Sequence, residues 1–467
     1  MPATTMRSEL GRLVGGEHVL EAPEESPYNR DASGRRGVEG RAEAIVLPGT
    51  AEEVAAVLAW CYEHDVAIVP RGGGTGMMGG AVAVDGGVVC SLERLRRVRE
   101  LAPELWRMLP EAGVPTRHVQ RLARENGLMF APDPGAAELS QIGGNVATNA
   151  GGPHALKYGV TGTWVAGLEA VLAPGELVQL GGWAGKDVAG YDLKSLLIGS
   201  EGTLGVITAV RLRLLPAPAA ALPLVIFLGT RAEGCAAVEA VLAAGCRPSV
   251  LDFLDGDTLA MLAGGYAAAV TSADGAPARV PAAAGFALIV EVDGSDSDAR
   301  AQRAELLEAL GDAPLAVHEP ADSAALWRWR DSINGVVTAA RGAKVSQDVA
   351  VPVERLVEGL ARFAQIAATH GLRSCAWGHA GEGNVHATVL VDPARGSELD
   401  AAEAVGEALF EVVVELGGSI AGEHGVGWLK RGRLAGQWEQ RALDLHEQIK
   451  RTFDPKGLLN PGKKLAR

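Results

Sequence analysis

The spacing of apolar residues near the start of the chain predicts a strand, a helix and two further strands. The apolar segment 45–48 is typical of a short strand, and Thr50 with Glu53 forms a capping box that begins a helix. One face of that helix is apolar and is made by Val54, Val57, Leu58 and Cys61. Strands are predicted at 67–69 and 88–92, on either side of a glycine-rich loop.

The next hundred residues predict a second group of helices and strands, over 106–217. A helix is expected at 115–126, followed by a loop and a stretch of small residues. The segments 165–173 and 176–181 predict a hairpin across a Pro-Gly turn, and a last strand is expected at 205–215. The sequence thus predicts two α+β subdomains, at about 40–105 and 106–217.

A cluster of prolines marks the expected domain boundary. Pro216, Pro218 and Pro223 interrupt the pattern just after the last predicted strand. We therefore expect one domain over 1–217, a second over 218–425, and a C-terminal helical segment over 426–467 that returns to the first domain.

The second domain alternates apolar strands with helices. Strands are predicted at 224–228, 250–254, 286–292 and within 376–391, and helices near 231–244, 256–264, 297–310, 322–340, 353–369 and 398–416. This order is typical of an α/β cap with an antiparallel sheet. The helix predicted near 438–453 belongs to the C-terminal segment. The predicted fold class is α+β.

Composition narrows the functional classes. The net charge of −14 argues against a nucleic-acid-binding protein. The five cysteines include no CxxC pair, which disfavours a disulfide framework or an iron–sulfur cluster and fits a reduced, cytoplasmic environment. No apolar run is long enough for a transmembrane segment, and the N-terminus lacks the apolar core of a signal peptide.

The glycine-rich loop at 70–80 is the first candidate site. Gly74, Gly76 and Gly79 satisfy the GxGxxG pattern, but a Rossmann site needs a helix to begin there, and the sequence continues as strand and turn. We therefore reject a Rossmann site. Consecutive glycines can still form an anion-binding nest of backbone N–H groups, and a plain glycine-rich hairpin is the alternative.

Three motifs in order give the chain a family resemblance. They are PRGGGTG (70–76), PDPGAAELSQIGGNVATNAGGPHALKYG (132–159) and GSEGTLGVIT (199–208). Together they resemble the FAD-linked oxidases of the vanillyl-alcohol oxidase fold, with a two-subdomain PCMH-type FAD-binding domain. Within that family the chain is most similar to D-lactate, glycolate and D-2-hydroxyglutarate dehydrogenases.

The resemblance implies a set of FAD-binding residues. Those expected at the pyrophosphate are Arg71, Gly72, Gly73, Gly74, Thr75, Gly76 and Gly80. Those expected along the flavin and on the adenine and ribose side are Pro132, Asp133, Gly143, Gly144, Asn145, Thr148, Asn149, Gly152, Gly202 and Ile207. Some relatives tether flavin through a histidine in the glycine loop. Because this loop has Thr75 and no histidine, we expect non-covalent FAD.

A second motif, GHAGEGNVH (378–386), has the residue types of a metal site. If its end is a strand, Asn384 and His386 point to the same face, and two histidines with a carboxylate are a common Zn²⁺ ligand set. A single histidine of this kind is more often structural, so the interpretation depends on several polar groups in two glycine-rich motifs. The resemblance implies that His379, His386 and Glu423 bind a divalent metal, and that Asn384 binds substrate or a metal-bound oxygen. Zn²⁺ is expected, with Mn²⁺ or Fe²⁺ as alternatives.

The resemblance also assigns the general base and the charged groups around the substrate. His424 is expected to be the general base. Arg330 is expected to pair with the substrate carboxylate, for which a guanidinium is well shaped. Arg328 is the alternative, and Lys344 is expected to be a further cation. Arg330 and Lys344 could instead be solvated charges on a helix or a strand.

The predicted activity is oxidation of a small D-2-hydroxy acid to the 2-oxo acid. His424 would take the hydroxyl proton while hydride passes to flavin N5. The electrons would go on to an electron-transfer protein or a quinone, and homodimerisation stays open. The alternatives to this activity are an alkyl-transfer enzyme of the same fold, a metal-dependent hydrolase, and a non-catalytic flavoprotein subunit of a larger oxidase.

Overall fold

The computed structural model of the protein describes residues 3–271 and 276–465 and divides them into two compact units. The first unit comprises residues up to Gly151, Gly159–Ala217 and the C-terminal segment from His424. The second comprises Gly152–Tyr158 and Pro218–Glu423. The short segment Gly152–Tyr158 therefore packs with the second unit although its neighbours in sequence belong to the first.

The elements are numbered here in chain order. The strands are β1 (Val19–Leu20), β2 (Ala44–Val46), β3 (Ile68–Arg71), β4 (Val88–Ser91), β5 (Val98–Ala102), β6 (Arg107–Pro110), β7 (Leu128–Met129), β8 (Val165–Leu172), β9 (Glu176–Gly181), β10 (Val206–Arg213), β11 (Leu215–Pro216), β12 (Ala220–Leu228), β13 (Val250–Asp255), β14 (Phe286–Gly294), β15 (Ala316–His318), β16 (Ala343–Ala350), β17 (Arg373–His379) and β18 (Asn384–Val391).

The helices are α1 (Ala3–Val14), α2 (Ala51–Glu63), α3 (Thr116–Glu125), α4 (Ile142–Thr148), α5 (Ala155–Tyr158), α6 (Leu193–Leu197), α7 (Arg231–Ala243), α8 (Gly256–Ala269), α9 (Asp296–Leu310), α10 (Ser323–Asp331), α11 (Ile333–Ala339), α12 (Leu356–Thr369), α13 (Gly396–Glu415), α14 (Leu434–Gln437) and α15 (Gln440–Phe453).

The first unit contains two principal sheets. The four-stranded sheet has the order β1-β2-β4-β3, with β2 and β3 parallel to β4. The five-stranded sheet β5-β6-β10-β8-β9 is antiparallel throughout. Its β8–β9 pair is the hairpin predicted from the sequence. Apolar side chains of α1, α2 and the four-stranded sheet form one core.

Local sequence explains α2 and the loop after β3. The Thr50 hydroxyl accepts a hydrogen bond from the Glu53 N–H at 3.1 Å, and the apolar face predicted for the helix is buried. Bends and turns follow β3 until β4 begins, and no helix lies in this described stretch. The rejection of a Rossmann site is therefore confirmed.

The second unit is built on one antiparallel sheet. Its seven strands have the order β15-β12-β14-β13-β17-β18-β16. Aromatic and aliphatic side chains from α8, α10 and α11 pack on this sheet in a core around Tyr266 and Trp329. The α+β class with an antiparallel cap sheet is confirmed.

Two local predictions were wrong. The single helix predicted near 322–340 is two helices that meet at Ser332, whose hydroxyl donates to the Trp329 carbonyl at 2.6 Å. The small-residue stretch after Gln141, for which no helix was predicted, forms α4. Its two glycines disfavour a helix by propensity, so the packing of this segment decides its conformation.

Two further features bear on the chemistry. Among the described residues, no helix combines the length and the apolar character needed to cross a bilayer. All five cysteines are free thiols and are buried.

Candidate active site

The glycine loop of the first unit requires glycine at two positions. A Cβ on Gly73 would lie 2.1 Å from the Leu139 carbonyl oxygen, and one on Gly74 would lie 2.1 Å from Arg71 Nη2. Gly74 also has φ +67°, a left-handed conformation that side chains rarely adopt. By contrast, a Cβ on Gly72 or Gly76 would meet its nearest atom at 3.6 or 3.7 Å, an ordinary van der Waals distance, so neither position needs glycine for lack of space.

The Arg71 side chain supports this loop through hydrogen bonds to backbone carbonyl oxygens. Its guanidinium donates to the carbonyl oxygens of Ala81 at 3.3 Å and Pro27 at 3.1 Å, and it lies 5.6 Å from the centre of the Tyr28 ring. Burial lowers the pKa of Arg71, and the nearby Asp31 carboxylate opposes that effect. Two of its donors are thus committed to the loop and the segment beside it.

Helix α4 borders the loop through Gly144 and Gln141. The Gln141 side chain is buried, and its Oε1 has no hydrogen-bond partner among the residues the structure describes. That atom lies 3.6 Å from the position of a Cβ on Gly72. A Cβ on Gly144 would have no neighbour within 4 Å. Among the described residues Gln141 is therefore an unpartnered buried acceptor beside Gly72, and the sequence analysis missed it.

Three other residues assigned to the flavin support their own segment. Asn145 Nδ2 donates to Thr116 Oγ1 at 2.7 Å, and the Thr148 hydroxyl donates to the Gly144 carbonyl at 3.0 Å. Asn149 Oδ1 accepts from the Gly162 N–H at 2.8 Å. These side chains hold α4 and the turn after it in place.

The remaining assigned positions are dispersed. Gly143 packs against Ala112, since a Cβ there would lie 2.6 Å from the Ala112 Cβ. Pro132 and Ile207 are buried, and Gly202 has φ +72°. The structure places Gly152 in the second unit, whereas the other predicted FAD residues lie in the first.

Strand register gathers the second unit's polar residues on neighbouring strands. Asp252 on β13 lies opposite His379 on β17, and Asp348 on β16 lies opposite His386 on β18. Ala350 at the end of β16 is opposite Asn384. His379, His386 and Asn384 are each at least nine-tenths buried.

Glu423 approaches both predicted histidine ligands. Its Oε1 lies 3.5 Å from His379 Nε2 and 3.4 Å from His386 Nε2. Ligand atoms around a tetrahedral ion with bonds of about 2.0–2.1 Å are about 3.3–3.4 Å apart, so these spacings suit such an ion. Asp348, His386 and Glu423 also offer ligand atoms within 4.8 Å of one another.

Asp252 joins two of the predicted site residues. Its Oδ1 lies 2.6 Å from His379 Nδ1, and its Oδ2 accepts from Arg330 Nε at 3.0 Å and Nη2 at 2.6 Å. Burial would raise the pKa of Asp252, but His379 and Arg330 outweigh it and hold that pKa well below its usual range. Burial likewise disfavours charge on His379, and the Asp252 carboxylate overcomes this and raises the pKa of His379.

Asp348 fixes the loop that carries Glu423. Its carboxylate accepts from Asn384 Nδ2 at 2.8 Å and from the backbone N–H groups of Gly422 and Glu423, each at 2.9 Å. A Cβ on Gly422 would lie 1.8 Å from Asn384 Nδ2, so only glycine fits there. Asn384 Oδ1 is buried and has no partner among the described residues.

The structure separates the two candidate arginines. Arg330 has only 14% of its side chain exposed and contacts Asp252, whereas Arg328 is 70% exposed and pairs with Asp322 at 3.5 Å. Lys344 Nζ donates to Asn334 Oδ1 at 2.5 Å and lies 4.6 Å from the centre of the Trp377 ring. His424 follows Glu423 in the chain and begins the segment that belongs to the first unit.

Sequence reasoning missed Asp252 and Asp348. Asp252 lies within the apolar run VLDFLD of the interior strand β13, and Asp348 lies beside the apolar residues VAV in the edge strand β16. A carboxylate inside such a run is a signal in itself, because a buried charge needs a partner.

Comparison with known proteins identifies the class. Residues 42–181 match the family model described as FAD binding domain, and residues 217–464 match the model described as FAD linked oxidases, C-terminal domain. These matches define an FAD-linked oxidoreductase. The chain belongs to the FAD-linked oxidase family, as its three motifs predicted.

Named relatives cover nearly the whole chain. It is 34% identical to the glycolate oxidase subunit GlcD of Bacillus subtilis strain 168, over 98% of this chain and 93% of that protein. It is 33% identical to the D-lactate dehydrogenase of Anaerostipes hadrus, over 91% and 89% of the two chains. It is 34% identical to the D-2-hydroxyglutarate dehydrogenase of Xanthomonas citri pv. viticola, over 90% and 88%.

A solved structure shows the same fold. The structure of p-cresol methylhydroxylase with substrate bound superposes with a TM-score of 0.79, covering 99% of this chain and 96% of that one at 18% identity. At this identity the likeness shows the fold alone. The predicted vanillyl-alcohol oxidase-like, PCMH-type fold is confirmed.

Proposed function

We propose that the protein is an FAD-dependent dehydrogenase that oxidises a D-2-hydroxy acid to the 2-oxo acid, with a divalent metal helping to hold the substrate. The observation that carries this proposal is the position of Glu423 Oε1, 3.4–3.5 Å from the Nε2 atoms of two histidines. A largely covered arginine, Arg330, lies in the same cluster and is joined to His379 through Asp252.

The first unit suits FAD on two counts. The backbone at Gly144 borders open space, and a Cβ on Gly72 or Gly76 would meet no atom nearer than 3.6 Å, which allows close approach of a flat or anionic cofactor. Gln141 offers a buried acceptor with no partner in the described protein, and such a group requires a donor. Arg71, Gly80, Pro132, Asp133, Gly202 and Ile207 are assigned to the cofactor from the family motifs. Binding is proposed to be non-covalent.

The second unit suits a divalent cation. His379, His386 and Glu423 supply two nitrogens and a carboxylate oxygen, and the distance from Glu423 Oε1 to each Nε2 atom suits a tetrahedral site; three ligands leave a position for substrate. Zn²⁺ fits this donor set best, and Mn²⁺ or Fe²⁺ also accept nitrogen and oxygen ligands. We assign these three residues as the metal ligands.

Different side chains of the protein are assigned to bind the substrate and to accept its proton. The Nε–Nη2 edge of Arg330 is occupied by Asp252, so its outer edge of Nη1 and Nη2 is the one that we assign to the substrate carboxylate. Asn384 Oδ1 is assigned as an acceptor for the substrate, and Lys344 as a further cation. An imidazole nitrogen of His424 receives the proton of the substrate hydroxyl.

FAD and the metal supply the chemistry that the side chains do not. When bound, FAD supplies the acceptor for the Cα hydrogen with its electron pair, and the metal supplies a Lewis acid. Loss of the hydroxyl proton and of the Cα hydride leaves the 2-oxo acid. Oxidised enzyme is regenerated by a separate acceptor, for which we propose an electron-transfer protein or a quinone.

A dye-reduction screen tests this function. Purified protein is assayed with glycolate and with separate enantiomers of lactate and 2-hydroxyglutarate, each with and without a chelator. We expect the D-enantiomer to be oxidised much faster than the L-enantiomer, and the chelator to lower the rate until Zn²⁺ or Mn²⁺ is restored. Equal rates for the two enantiomers would contradict the stereochemistry. A flavin-loaded protein that oxidises none of these acids would contradict the proposal.

A further inference from the structure

Asp252 is a buried anion in the middle of an apolar strand. It is 2% exposed, and its neighbours Leu251 and Phe253 are buried core residues. Burial of a carboxylate is unfavourable unless hydrogen bonds and an opposite charge compensate it. An apolar residue would serve the strand better, so the sheet itself does not explain this aspartate.

The two oxygens of Asp252 have separate partners. Oδ1 accepts a hydrogen bond from His379 Nδ1 at 2.6 Å, and Oδ2 accepts hydrogen bonds from Nε and Nη2 of Arg330. His379 is also buried, and Arg330 has only 14% of its side chain exposed. One side chain therefore fixes the orientation of two others that come from different elements, β17 and α10.

The contact with His379 decides which of its nitrogens can bind a ligand. Because Nδ1 holds its proton toward Asp252, Nε2 is the nitrogen that faces Glu423, at 3.5 Å. Carboxylate partners of this kind orient metal-binding histidines and raise their basicity. Without the carboxylate, the ring could rotate or take the other tautomer.

The contact with Arg330 decides which edge of the guanidinium is available. Asp252 holds the Nε–Nη2 edge, so the outer edge keeps a fixed direction. A planar group held in this way can make two parallel hydrogen bonds to a carboxylate without first losing side-chain freedom. The exposed Asp331 lies 3.6 Å from Nη1 and is the other charge on that edge.

We propose that Asp252 is the positioning residue of this site, holding with one carboxylate both the arginine that binds the substrate carboxylate and a histidine that binds the metal. This inference rests on the proposed function. Asp252 thereby orients two side chains, Arg330 for the substrate and His379 for the metal.

Three variants separate these roles. In Asp252→Asn we expect zinc affinity, measured on metal-free protein by competition with a chromophoric chelator, to fall about 10- to 100-fold. KM for the preferred 2-hydroxy acid should also rise. In Arg330→Gln we expect KM to rise about tenfold or more, with zinc affinity within threefold of the original protein because Asp252 still holds His379. In Asp252→Asn/Arg330→Gln, which removes both members of the buried ion pair, zinc affinity should be as low as in Asp252→Asn.

Asp255→Asn is the matched control. Asp255 is a buried aspartate of the same strand, and it accepts from the N–H groups of Thr258 and Ala376 at 2.8 and 2.9 Å, away from the metal cluster. We expect this variant to lose thermal stability while zinc affinity stays within threefold. Zinc affinity that is equally unchanged in Asp252→Asn would overturn the proposal, and so would an unchanged KM.

A measurement without metal or substrate keeps the inference separate from the function. In protein with ¹⁵N-labelled histidine, the His379 Nδ1 proton should give a downfield resonance, assigned through His379→Gln. We expect this resonance to vanish in the double variant and to persist in Asp255→Asn. If the original protein binds no zinc and oxidises no hydroxy acid, the proposed function fails, and this resonance alone decides whether Asp252 orients His379. Its persistence in the double variant would refute the inference.

Discussion

The carboxylate of Asp348 accepts the backbone N–H of Glu423 at 2.9 Å, although 75 positions separate the two residues in the chain. The same oxygen accepts the N–H of Gly422, so the end of a glycine-rich loop is attached to strand β16. The loop thus presents the Glu423 side chain to two histidines from a fixed backbone.

Asp348→Asn should weaken metal binding without removing a proposed ligand. An amide offers one acceptor where the carboxylate has two, so at least one of its three donors loses its partner. We expect metal affinity to fall about 10- to 100-fold, as for other groups that support ligands. Ser346→Ala is the control, since Ser346 lies on the same strand and bonds only to Thr388 in the described structure. Equal metal affinity in both variants would show that Asp348 does not support the site.

Comparison of His379→Ala with His424→Ala tests whether His379 is a metal ligand and His424 is the general base. His379→Ala should lose metal and activity together, because it removes one of three ligands. His424→Ala should keep flavin and most of its metal, and kcat should fall about 10²- to 10⁴-fold. Metal analysis beside steady-state kinetics checks this, with the exposed His370→Ala as control. Complete metal loss in His424→Ala would make His424 a ligand.

The flavin should be released by acid or heat. The glycine loop contains Thr75 and no histidine, so no side chain of that loop offers a histidyl linkage. We expect oxidised-flavin absorbance in the purified protein and free FAD in the supernatant after precipitation. Flavin that remains with the protein pellet would show a covalent bond.

Gly144→Ala should separate helix stability from cofactor binding. A Cβ at this position meets no atom within 4 Å, and alanine favours a helix over glycine by about 1 kcal/mol, so the melting temperature of the flavin-free protein should not fall. FAD affinity should fall if the cofactor approaches this backbone. Gly335→Ala, at an exposed position of helix α11 in the second unit, gains the same helix preference and should leave FAD affinity unchanged. Fluorescence titration of the two flavin-free variants compares them directly.

Gln141→Met should have a similar selective effect. The change nearly preserves volume and removes a buried acceptor that has no partner in the described protein, so stability without FAD should be unchanged or higher. FAD affinity should fall, because we assign that acceptor to the cofactor. In contrast, Gln120→Met removes a bond to the Pro132 carbonyl at 2.8 Å and should lower stability. Unchanged FAD affinity in Gln141→Met would remove Gln141 from the cofactor site.

The sequence alone determined the features that depend on neighbours along the chain. Apolar periodicity located most helices and strands, including the hairpin of β8 and β9 and the capped helix α2. The glycine loop and the GHAGEGNVH motif are each continuous, so their residue types and spacing indicated cofactor and metal chemistry. The family followed from three such motifs in order.

Only the tertiary structure decided which distant residues meet. Asp252 and His379 are 127 positions apart, and their contact depends on the pairing of β13 with β17 in a particular register. That register is set by burial over the whole sheet, and a shift by one residue would turn every side chain to the other face. The same holds for Asp348 and the loop at Glu423, and for Gln141 beside the glycine loop. The choice of Arg330 over Arg328 at the cluster was likewise made by packing, because the two arginines differ little in sequence context but one is buried and the other is in solvent.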